Sequence, residues 1–225
     1  MPRPQSVTTR RTLGTVGAVL DHVFNDAIGA LRDAFANAFL ERQAFDEHFQ
    51  SDILTGDLTW ETSYGIPGEG HPPRVVAHVT LVWPAWSQAT YRAWYVDEIF
   101  HEPPSIDMEI VYRVQRLSAQ PDATVADEIT PPLSPKVGAA HLERESATIE
   151  IARVTHPEDR DDRVDHALEV TYRGVYELAE QSLADGSSTI LDEHFAALGS
   201  WIASTLVKLG DLRLAYHPAD DDAAT

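Results

Sequence analysis

The sequence predicts an α+β fold: a long N-terminal helix, a mainly antiparallel sheet of five to seven strands, and a C-terminal helix packed on the sheet. Three observations predict it. Apolar residues recur at helical spacing near both ends of the chain. Between those stretches the period switches to two. The strand-like stretches cluster between the two helices instead of alternating with them.

Residues 1–14 read as an arm, loose or docked on a partner. Residues 15–50 read as helix. Val16, Leu20, Val23, Ala27, Leu31, Phe35, Ala38 and Phe45 form its stripe. Gly29 weakens it by about 1 kcal/mol relative to Ala. Phe24, Phe39 and Phe49 lie off the stripe, so burial is expected on two sides, against the sheet and a neighbouring subunit.

Leu58, Trp60, Thr62 and Tyr64 then alternate with polar residues. After GIPGEGHPP, Val75, Ala77, Val79, Leu81 and Trp83 share a face, and Pro84 ends that strand. Tyr91 to Val96 reads as a short strand, and Ile106 to Val114 as another. Residues 118–138, with four prolines, read as a long exposed loop and as the place where a two-lobe split of the 15–217 domain would fall. Ala147–Val154 and Leu168–Leu178 read as a hairpin around HPEDRDDRVDH. A helix is expected from about 190 to 209, buried through Leu191, Phe195, Leu198, Ile202, Leu206 and Leu209. Thr189 with Asp192 gives its capping-box pattern, and Gly210 terminates it. Leu212, Leu214 and Tyr216 suggest a last strand. Residues 218–225 are an acidic tail.

The chain has 225 residues and a net charge of −19, from 36 acids and 17 bases. Only Lys136 and Lys208 are lysines. Such a surface repels polyanions, and the arginine clusters are too small for a nucleic-acid groove. In concentrated salt the self-repulsion is screened, so the composition suits a halophilic setting. GC-rich codon usage is the other explanation: it accounts well for the scarce lysine and less well for the charge.

Cysteine is absent, which excludes disulfides, thiolate zinc sites and cysteine nucleophiles. No stretch reaches the length of a membrane span. The start is read as a tail leading into a helix, not as a secretory signal. The expected location is the cytoplasm or an assembled particle such as a virion.

No catalytic pattern stands out. DEIFHE places Asp97, Glu98, His101 and Glu102 together, but without two histidines one helical turn apart. The loop between His156 and His166 is acidic but lacks the glycine and spacing of a calcium loop. Both read as solvated turns. There is no nucleophile elbow, P-loop or dinucleotide turn. No cofactor and no metal are expected.

The aromatic segment TLVWPAWSQATYRAWYV holds Trp83, Trp86, Tyr91, Trp94 and Tyr95. Read as a strand, it sends Trp94 to the face opposite Tyr91 and Tyr95, so both faces need cover. Tryptophan is common in interface hot spots. These five residues, with Phe24 and Phe39, are the expected interface of a homo-oligomer or a complex with other subunits.

The expected function is that of a non-catalytic structural or assembly subunit in high salt. The order helix, antiparallel strands, helix, strand resembles small tail-terminator or neck proteins of tailed viruses, as an analogy of element order without signature residues. A chaperone-like binder of hydrophobic ligands or peptides is the first alternative. Leu168 onward is faintly similar to the strand-then-helix ending of SecB-type export chaperones, with a helical part too short for that pattern. A metal-dependent hydrolase is the second alternative.

Overall fold

A computed structural model describes residues 16–38, 44–66, 72–95, 102–154, 163–178 and 189–217. These residues form an α+β structure with three helices and an eight-stranded antiparallel sheet. The strands are β1 (Ala44–Ser51), β2 (Leu58–Gly65), β3 (Val75–Trp83), β4 (Ser105–Leu117), β5 (Leu133–Val137), β6 (Ala140–Arg144), β7 (Thr148–Val154) and β8 (Arg163–Glu177). The helices are α1 (Val16–Ala38), α2 (Ala85–Tyr95) and α3 (Thr189–Gly210).

The sheet order is β1-β2-β3-β4-β8-β6-β5, with β7 also on β8. β8 is long enough for two neighbours on one side. Its first half pairs with β7, and Tyr172 and Arg173 pair with β6. β4 therefore joins strands from both sides of the 118–138 segment.

Alternation builds the core. Val75, Ala77, Val79, Leu81 and Trp83 of β3 are buried beside Ile106, Met108, Ile110, Tyr112 and Val114 of β4. α3 packs on this face through the six apolar residues expected from its stripe, all at most 2% exposed. α1 lies against α3, and Gly199 sets how closely: a Cβ there would sit 2.8 Å from the Ala34 Cβ. None of the described helices is long and apolar enough to cross a membrane.

Four expectations are corrected. The first helix ends at Ala38, and Ala44–Ser51 is an edge strand on β2. Phe45 and Phe49, four apart, imitate helical spacing there, because a register shift between Phe45 and His48 breaks the alternation. Tyr91 lies in a helix, not a strand. α2 has its first N–H, at Ala85, capped by the Asp57 carboxylate at 2.7 Å, and it buries Ser87, Gln88 and Tyr91 at helical spacing. The two-faced alternation assigned to Trp94 therefore does not apply.

The 118–138 segment is packed. Ala126 and Thr130 are fully buried, β5 occupies its end, and Arg144 bonds the Thr130 carbonyl at 2.6 Å and the Asp127 carboxylate at 2.5 Å. Its prolines stiffen an ordered path instead of marking a free one. The terminal strand reduces to one bridge between Leu117 and Tyr216. It sits beside Arg116, whose left-handed backbone (φ 63°) marks the register shift near the end of β4.

Candidate functional site

Trp83, Tyr91 and Phe24 are buried inside the protomer. Trp83 packs against Phe24 at 5.9 Å and edge-on against Tyr91 at 5.8 Å. Its indole N–H donates to the Ser87 hydroxyl at 2.9 Å, which also bonds the Ser105 backbone. These three aromatics hold α1 and α2 to the end of the sheet. Trp86, on the outer side of α2, is 48% exposed. Phe39 and the side chains of Trp94 and Tyr95 lie outside the described residues, as do residues 97–101 and 155–162. Among the described residues no group of three or more His, Asp or Glu is placed to hold a metal ion.

At the end of the sheet where α2 carries Trp86, the structure presents two side chains that sequence reasoning missed. Ile53 and Leu54 stand at the tip of the β1–β2 hairpin, 99% and 96% exposed. The turn that carries them is firmly built. The Asp52 carboxylate accepts from the backbone N–H of Leu54 at 2.7 Å and of Thr55 at 3.0 Å. Asp52 and Asp57 close it through a backbone bond of 2.9 Å, and Gly56 takes φ 79°. Its base is fastened to α2: Gln88 donates to the Gly56 carbonyl at 3.0 Å, and Asp57 caps the helix. The tip and Trp86 thus occupy the same end of the molecule. An apolar pair inside an Asp…Gly-Asp turn signature was the available sequence signal.

The second feature is the sheet face opposite the core. α1 and α3 pack on the core face and α2 closes its end; none of the described helices packs on the other face. Across β3, β4, β8 and β6 that face forms a groove of ≈ 590 Å³. Val82 and Val175 give it an apolar floor, and Asp107, Glu109, Glu143, Arg173 and His141 carry its polar groups. Gly174 allows the strands to close up here, since a Cβ would lie 2.7 Å from Leu142 Cδ2. Arg173 is held by Glu109 and by Glu145 at 2.8 Å. Asp107 and Glu143 have no paired cation among the described residues. Burial raises the Asp107 carboxyl above its ordinary range, and the nearby Asp57 carboxylate adds to the rise.

No family model and no curated protein matches the chain.

What this arrangement can do chemically is bind. The hairpin tip offers aliphatic surface on a braced turn, a form suited to insertion between other side chains. The groove offers an apolar floor under a negatively charged rim. The aromatic cluster, which looked like contact surface in sequence, organises the tip and α2 from beneath.

Proposed function

We propose that the protein is a non-catalytic assembly subunit in a high-salt setting, joined to copies of itself or to other subunits through the end of the molecule that carries Ile53, Leu54 and Trp86. The observation that supports this most is the near-complete exposure of two adjacent aliphatic side chains on a turn fixed by five hydrogen bonds. Exposed aliphatics scattered singly are ordinary. A braced apolar pair on a turn fastened to the helix that carries a half-exposed tryptophan is a feature that partner contacts use. The acidic surface fits this setting, because screening removes the repulsion between like-charged subunits. A virion neck or tail component is one such assembly, proposed on the element order read from the sequence, which in the structure is interrupted by α2 and ends in a single bridge.

Sedimentation of the wild type and of an Ile53→Asp/Leu54→Asp variant in concentrated KCl tests the reading. A defined oligomer is expected for the wild type and a folded monomer for the variant. A monomeric wild type contradicts self-assembly through this end.

A second reading rests on the groove: binding of a peptide or hydrophobic ligand on the open sheet face. Its volume falls within the range of about 300–1,000 Å³ common for ligand sites. Co-purified peptide or lipid, released on denaturation and seen by mass spectrometry, would favour it over assembly.

A further inference from the structure

The groove and the start of the chain have matching chemistry. Residues 1–20 contain Arg3, Arg10 and Arg11 and no acidic residue, in a chain whose net charge is −19. Val7 lies between these arginines, and Val7, Thr8, Thr9 and Thr12 suit an extended conformation. The groove has an apolar floor, Val82 and Val175, and two rim carboxylates, Asp107 and Glu143, without a paired cation among the described residues.

The connection is short. α1 begins at Val16, and Phe24 packs on Trp83, the residue after Val82 of the groove. The helix from Val16 to Phe24 covers about 12 Å. Val7 stands nine residues before Val16 and Arg10 six, tethers of about 30 Å and about 20 Å in extended form. The segment can therefore reach the open face of its own chain or of an adjacent copy.

We propose that this groove receives the arginine-bearing segment 1–14 of the chain, with Val7 over the apolar floor and Arg10 and Arg11 against Asp107 and Glu143. The inference takes up the groove reading above. When the segment comes from a second copy, it also supplies a contact for the assembly reading. Seating cations beside Asp107 offsets the repulsion it feels from the nearby Asp57 carboxylate.

The absence of cysteine makes a clean test. In the full chain, Val7→Cys is combined with Val175→Cys in the groove or, as control, with Val207→Cys. Position 207 is on α3 and 42% exposed, close to the 44% of position 175. Under mild oxidation the 7–175 disulfide should form about tenfold or more faster than the 7–207 disulfide, because a seated segment raises its effective concentration at one site. The preference should shrink in about 1 M KCl, where the Debye length is about 3 Å, and on adding Arg10→Glu and Arg11→Glu. Equal rates for the two pairs would overturn the proposal and leave the groove to another occupant. A preferential cross-link within one chain upholds the groove assignment while counting against assembly by this contact. A preferential cross-link between chains supports both.

Discussion

Ser87→Ala removes one hydroxyl that serves three partners in the core. Its Oγ accepts from Trp83 Nε1 at 2.9 Å and from the Ser105 backbone N–H at 2.6 Å, and it donates to the Ser105 carbonyl at 2.7 Å. Ser87 and Trp83 are fully buried and Ser105 nearly so. The alanine therefore leaves two donors facing a methyl group. A buried donor without an acceptor costs about 1–3 kcal/mol. Alanine returns about 0.5 kcal/mol in helix propensity. The net loss is about 2–5 kcal/mol, and it falls on the junction of α2 with β3 and β4. Urea unfolding at fixed KCl measures it as a lower midpoint with unchanged slope. Trp83→Phe removes one of the stranded donors, so the double variant should lose less than the sum of the singles, by about 1 kcal/mol or more. A Ser87→Ala loss below about 0.5 kcal/mol, or strict additivity in the cycle, would show that these hydrogen bonds do not hold α2 in place.

Three further outcomes are expected. The melting temperature should rise between about 0.1 M and about 1 M KCl, as screening shortens from about 10 Å to about 3 Å; a flat or falling curve removes the high-salt reading. In an Arg10→Ala/Arg11→Ala background, where no arm cation faces the carboxyl, Asp107→Asn should stabilise the fold at neutral pH. The folded carboxyl has a raised pKa, so the folded chain holds this proton more tightly than the unfolded chain does. Stability is lost as pH rises through the window above 3.8, and the advantage of the asparagine should vanish below it, as read by melting against pH. Trp83→Ala should cost about 3–5 kcal/mol of folding stability, whereas Trp86→Ala should stay within about 0.5 kcal/mol and weaken assembly instead. Paired melting and sedimentation-boundary measurements by centrifugation separate the two effects, and a reversed order contradicts the burial assigned to them.

The parts of the fold that the sequence revealed are those where one period rules a whole element. α3 and strands β2, β3, β4 and β8 each bury a regular stripe, and that stripe is visible in the residues alone. β1 was hidden by its register shift, which leaves two phenylalanines at helical spacing. α2 was hidden because its aromatic residues favour strands, while its cap comes from Asp57, far away in sequence. β5 sits where proline suggested a loop, β6 follows directly after it, and both are short: five residues each. The candidate site was harder to see for a different reason. Composition pointed to the aromatic segment, yet tryptophans serve cores as readily as surfaces, and Trp83 went inward. Ile53 and Leu54 look like core residues until the turn around them is built. The groove takes residues from four strands, so no local pattern announces it.

The central claim is that the end bearing Ile53, Leu54 and Trp86 becomes covered when the protein assembles. Leu54→Cys and, as a control, Ile151→Cys place single thiols in an otherwise cysteine-free chain, at positions 96% and 59% exposed in the protomer. Their reaction rates with a thiol reagent, followed over a dilution series in concentrated KCl, test this most directly. The thiol at position 54 should become protected as concentration rises, in step with the mass, while the thiol at position 151 reacts at a constant rate. An oligomer in which position 54 stays as reactive as in the dilute protein would contradict the claim.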